Sequence, residues 1–108
     1  MAQAVFTVEG LPEAPLDAAA HFHAEIAPRL RENLAEDIVL LFAPADHTHD
    51  GWRLAAVQEL AREAAPARVN AVTGDDPDSI EKLVTYLAQA PGVTGQILQA
   101  SAIPAETH

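Results

Sequence analysis

The sequence predicts an α/β fold: a four-stranded parallel sheet in sequential order with three main helices, arranged as a three-layer or two-layer sandwich. Three observations predict it. Short runs of β-branched and apolar residues alternate with Ala-rich stretches of helical period along the chain. Pro, Gly and Asp clusters punctuate each change of period. The run Ile38-Val39-Leu40-Leu41-Phe42 is apolar at every position, which fits a strand covered on both faces. A length of 108 residues suits one domain, expected over residues 1–100, with 101–108 as a loose C-terminal tail.

Residues 4–8 (AVFTV) read as the first strand, ended by Gly10 and Pro12. From Pro15, helix formers place Leu16, Ala20, Ile26, Leu30 and Leu34 at mostly three- and four-residue steps, predicting a helix over about 16–34. Pro28 removes one intrahelical hydrogen bond, so a kink is expected near Ala27. The second strand is 38–42. After a polar connector at 45–51, Leu54, Val57, Leu60 and Ala61 form one stripe of a helix over about 52–65, closed by Pro66. Residues 68–72 (RVNAV) make the third strand. An acidic turn follows, in which Asp78 or Ser79 is expected to N-cap a third helix carrying Ile80, Leu83, Val84 and Leu87. That helix ends before Pro91-Gly92, and 96–100 (QILQA) is the fourth strand. If every crossover is right-handed, sequential order places all three helices on one face. The opposite face of 38–42 must then be covered by the last helix wrapping round or by a second subunit.

Composition narrows the partners. Sixteen Asp and Glu residues against six Lys and Arg give a net charge of -10, which disfavours binding to nucleic acid or to an anionic membrane surface. The 49% hydrophobic content is too high for a disordered acidic chain. Cysteine is absent, so disulfides and thiolate metal sites are excluded. The N-terminal residues carry neither a basic region nor a long apolar run, and no stretch reaches the roughly 18–20 apolar residues of a membrane span. A cytoplasmic location is the expectation.

Two segments carry a family resemblance. Residues 60–72 (LAREAAPARVNAV) resemble the helix-to-strand segment of short-chain dehydrogenase/reductases. Leu83-Val84-Thr85-Tyr86-Leu87-Ala88 and Val93-Thr94-Gly95-Gln96-Ile97-Leu98-Gln99 resemble that family's closing helix and strand, in the right order and at compatible spacing. Residues 15–42 are similar to the helix and strand before its catalytic serine. The resemblance implies a Rossmann-like sheet, matching the C-terminal half of the family's fold.

The family's chemistry is what the chain departs from. No glycine-rich loop follows a strand; Gly10, Gly51, Gly74, Gly92 and Gly95 are dispersed. Counting back from residues 60–63 places Asp46 and Asp50 where the family carries its catalytic Tyr and Lys, while Ala43-Pro44-Ala45 stands where its serine would be. The only Tyr is Tyr86 and the only Lys is Lys82, both on the third helix. No catalytic residue is therefore assigned. Asn70, Thr73 and Gly74 are the positions at which the resemblance leaves vestigial cofactor contacts.

Other candidates are read from residue type alone. His47 and His49, flanked by Asp46 and Asp50, are the candidate metal ligands, set against a plainer reading as a polar surface loop. His21 and His23 project about 200° apart on a helix and do not share a ligand. Trp52 lines a pocket at the strand ends or, as the plainer reading has it, caps the core or anchors a subunit contact. The acidic turn around Asp76 reads as a complement to the helix dipole rather than a Ca²⁺ site. The expected function is a catalytically inactive, dehydrogenase-like, oligomeric binding or assembly module, a homodimer or homotetramer with no cofactor. The alternative is a residual oxidoreductase binding NAD(P), its site completed across subunits. A full-length dehydrogenase is a further possible partner.

Overall fold

A computed structural model describes residues 3–100; the expected tail at 101–108 lies outside the described residues. In chain order the elements are β1 (Gln3–Thr7), α1 (Pro15–His21), a π-helical turn (Phe22–Ile26), α2 (Ala27–Arg31), β2 (Asp37–Phe42), a 3₁₀ turn (His47–His49), α3 (Asp50–Ala64), β3 (Val69–Thr73), α4 (Pro77–Ala88) and β4 (Ile97–Gln99). The four strands pair in parallel in the order β1-β2-β3-β4. Val5 lies opposite Val39, Leu40 opposite Ala71, and Val72 opposite Leu98.

Strand alternation splits the central apolar run between two cores. Ile38, Leu40 and Phe42 join Phe22, Ile26 and Leu30 of the first helical stretch and Val57 and Leu60 of α3. Val39 and Leu41 face the other way, onto Leu87, Ile80, Leu83 and Val84 of α4. The last helix thus wraps to the opposite side, and the sandwich has three layers. Because β4 continues the sequential order, the β3-α4-β4 crossover has the opposite hand to the two before it, against the expectation of uniform handedness. Covering Val39 and Val72, both at most 1% exposed, offsets the departure from the common right-handed connection.

The first helix is broken differently from the simple kink. Pro28 cannot donate to the carbonyl four residues back and its ring crowds that carbonyl, so the turn before it widens to π geometry. The buried positions Ala18, Phe22, Ile26 and Leu30 step by four. On an ideal α-helix such steps drift by about 40° each, and the wide turn restores the register. Leu16 and Ala20, assigned to the inner stripe from the sequence, lie outside it; Leu16 is 85% exposed.

The cap of α4 is also displaced. Pro77 takes the first helical position, so the extended residue before it, Asp76, is the N-cap rather than Asp78 or Ser79. Asp76 accepts hydrogen bonds from the Ser79 backbone N–H at 2.9 Å and from the Ser79 hydroxyl at 2.7 Å.

Arg68 fastens the N-terminal ends of the strands. Its Nη2 and Nε donate to Asp37 Oδ2 at 3.0 and 3.2 Å. Its Nη1 reaches the carbonyls of Leu87 in the last turn of α4 and of Ala90 and Val93 beyond it, at 2.9, 2.6 and 3.3 Å. One guanidinium thereby adds a charged donor to carbonyls at and beyond a helix end and ties α4 to the start of β2.

Candidate functional site

Ligands of open parallel sheets bind outside the C-terminal ends of the strands, and two cavities open there. The larger, about 850 Å³, lies between the β1–α1 loop (8–14) and the β2–α3 loop (43–46), and reaches His49 and Arg53. The smaller, about 380 Å³, lies between Pro44, Asp50, Arg53, Leu54, Thr73, Gln96 just before β4, and Ile97 and Gln99 within it. Arg53 borders both.

The wall beneath is aromatic. Phe22, Phe42 and Trp52 form a triangle with ring centroids 5.5–6.0 Å apart. Trp52 Nε1–H donates to His49 Nδ1 at 3.1 Å, and His49 Nε2 lies 2.9 Å from the Glu13 carbonyl. An indole N–H only donates, so Nδ1 supplies the lone pair and Nε2 carries the proton given to Glu13. His49 thus pins the β1–α1 loop to the start of α3. Of the two readings for Trp52, the structure gives the core cap, beside the pocket rather than lining it.

Arg53 replaces Leu54 on the inner stripe of α3: Arg53 is 7% exposed and Leu54 40%. Its guanidinium carbon sits 4.5 Å from the centroid of Phe42, and Nη1 donates to the Ala43 carbonyl at 3.0 Å. Its Nε is buried with no hydrogen-bond partner. Burial pulls the group below the ordinary arginine pKa, and the charge of Asp50 opposes that shift. Sequence reasoning missed this residue. The available signal was its spacing, since Arg53 stands four, seven and eleven residues before Val57, Leu60 and Ala64 on the buried face.

The positions counted from the resemblance fall in or beside the same cleft, with different chemistry. Asp46 caps the 3₁₀ turn, accepting from the Thr48 hydroxyl and from the Thr48 backbone N–H at 3.0 Å. Those two bonds, the hydroxyl first, hold its carboxyl below the usual aspartate range. Asp50 is exposed at the first turn of α3, and Ala43-Pro44-Ala45 leaves β2 without a hydroxyl. Tyr86 and Lys82 are exposed on α4, across the sheet from this wall.

The vestigial cofactor positions separate. Thr73 lines the smaller cavity. Gly74 sits against the end of β4, where a Cβ would come within 2.8 Å of the Ala100 carbonyl oxygen, so its lack of a side chain serves close packing. Asn70 is 1% exposed, donates to the Val93 carbonyl at 3.0 Å and accepts from the Gln96 N–H at 3.0 Å. That makes it a staple between β3 and the segment entering β4. His47 is exposed, while both ring nitrogens of His49 are engaged. Among the described residues no three His, Asp or Glu side chains converge as metal ligands. No helix there is long and apolar enough to cross a membrane.

A parallel three-layer sheet with a cleft at its strand ends defines a Rossmann-like α/β protein. Within that class, the family model described as short chain dehydrogenase-like protein matches residues 6–100, and the chain belongs to this SDR-like family. No curated protein and no solved structure matched the chain.

Proposed function

We propose that this chain is a catalytically inactive member of its family that serves as an oligomeric binding or assembly module. The composition of the cleft carries the reading. A reductase of this lineage needs a phenol to pass a proton, a lysine to lower that phenol's pKa and a hydroxyl to orient the substrate. Counted along the chain, Asp46 and Asp50 stand at the places of the phenol and the lysine, and Ala43-Pro44-Ala45 at that of the hydroxyl. Asp46 is already committed to Thr48, and a carboxylate held ionised is a poor proton donor at neutral pH. The retained walls, with apolar residues 8, 11, 12 and 44 around one desolvated cation, suit binding without proton transfer.

Two assays test the two halves of the reading. Oxidation of NADH and NADPH with a panel of aldehydes and ketones is expected to stay at the blank rate. Sedimentation velocity at micromolar concentration is expected to show a homodimer or homotetramer. Turnover above blank overturns the inactive assignment, and a stable monomer overturns the assembly role.

A further inference from the structure

We propose that two copies of this chain pair through the outer edge of β1, antiparallel about a twofold axis at Val5, joining two four-stranded sheets into one. The proposal rests on the assembly half of the reading above and names its surface.

Backbone direction sets the register. Val8 N–H donates to the Leu41 carbonyl at 2.9 Å, so the even-numbered residues Val8, Phe6 and Ala4 turn their peptide groups toward β2. Gln3, Val5 and Thr7 then turn theirs outward, since successive residues of a strand alternate. A twofold axis at Val5 makes Val5 a hydrogen-bonded pair with itself and pairs Gln3 with Thr7 on either side. Every outward peptide group of β1 is satisfied by this single register.

The edge lacks the usual defences against such pairing. Its residues Gln3-Ala4-Val5-Phe6-Thr7 include no charge, proline or glycine. Val5 is 48% exposed on the face that α4 leaves open, and the Gln3 side chain turns away to donate to the Val84 carbonyl at 3.1 Å.

Charge selects a second copy as the occupant. Arg29 lies over the Phe6 ring, 5.5 Å from its centroid, in a groove of about 340 Å³ that also holds Glu32 and Ala4. Among the described residues Arg29 has no carboxylate partner and Glu32 no cationic one. The helix runs back along the strand, so Glu32 stands about one turn nearer the β1 start than Arg29. Antiparallel pairing sets Phe6 opposite Ala4 of the second copy, which brings Arg29 beside Glu32 of that copy, and the axis makes the match twice.

The chain has no cysteine, so Val5→Cys introduces a single thiol. The Cα atoms of a hydrogen-bonded antiparallel pair are about 5.5 Å apart, within disulfide reach. Oxidation is expected to give a covalent dimer on non-reducing gels, far faster than Leu16→Cys at an exposed helical site. Val5→Lys places like charges across the axis and is expected to yield a monomer with an unchanged circular dichroism spectrum. Arg29→Glu is expected to weaken the dimer about tenfold, equivalent to ~1.4 kcal/mol, and Arg29→Glu with Glu32→Arg to restore it. If Val5→Lys remains dimeric and Val5→Cys cross-links no faster than the control, the β1 edge is the wrong surface while the assembly reading stands. A monomeric wild-type chain overturns both.

Discussion

Arg68 and Arg53 stand at opposite ends of the same sheet and are treated in opposite ways. Arg68, at the N-terminal ends of the strands, pairs with Asp37 and donates to three carbonyls, of Leu87 in α4 and of Ala90 and Val93 beyond it. Arg53, at the C-terminal ends, makes one hydrogen bond to a carbonyl, stacks on Phe42 and leaves its Nε orphaned beside two cavities. A saturated guanidinium is a fastening. An unsaturated one beside open volume marks the end of the molecule where ligands of open parallel sheets bind. Here that end keeps the architecture, with Ala43-Pro44-Ala45, Asp46 and Asp50 at the positions counted for the family's serine, tyrosine and lysine.

Substitutions at the two ends should therefore differ in cost. Leu87→Ala empties the centre of the α4 core and undermines the helix end that Arg68 caps; urea denaturation is expected to show a loss of about 3 kcal/mol. Asp37→Ala leaves the Arg68 guanidinium and backbone N–H without their carboxylate. Because the pair keeps slight exposure, with side chains 11% and 20% accessible, the expected cost is about 2 kcal/mol. Arg53→Met preserves the contact with Phe42 and removes the orphaned donor, so stability should change by less than about 1 kcal/mol in either direction. A loss at Arg53 as large as that at Asp37 would break the contrast.

The smallest effect is one of pH. The Ser79 hydroxyl and backbone N–H hold the Asp76 carboxyl below the ordinary aspartate pKa. A depressed folded pKa contributes stability that is full above the unfolded value and fades as pH falls through the folded one. The difference in denaturation midpoint between wild type and Asp76→Ala should be complete at pH 6 and shrink below about pH 4. A difference that persists unchanged to pH 2 would show that the cap acts without its charge.

Much of the fold was legible because strand period and turn chemistry agree at each boundary. The run 38–42 announced a strand buried on both faces, and the two cores on either side of β2 bear this out. What the sequence hid was rotational phase. Leu16 and Leu54 are apolar and fit a helical period, yet a π turn and a one-residue phase difference turn them outward. Arg53 was hidden for the complementary reason, since charge argues for the surface until Phe42 and the Ala43 carbonyl are seen beside it. The positions counted as Asp46, Asp50 and 43–45 were legible in residue identity alone. That Asn70 staples β3 to the segment before β4, outside the lining of both cavities, shows only in the folded chain.

We propose that the cleft keeps its shape without binding a dinucleotide. Calorimetric titration of the wild-type chain with NAD⁺, NADH, NADP⁺ and NADPH tests it most directly. No saturable heat is expected with any of the four at micromolar protein, and saturable binding of one dinucleotide at one site per chain would contradict this.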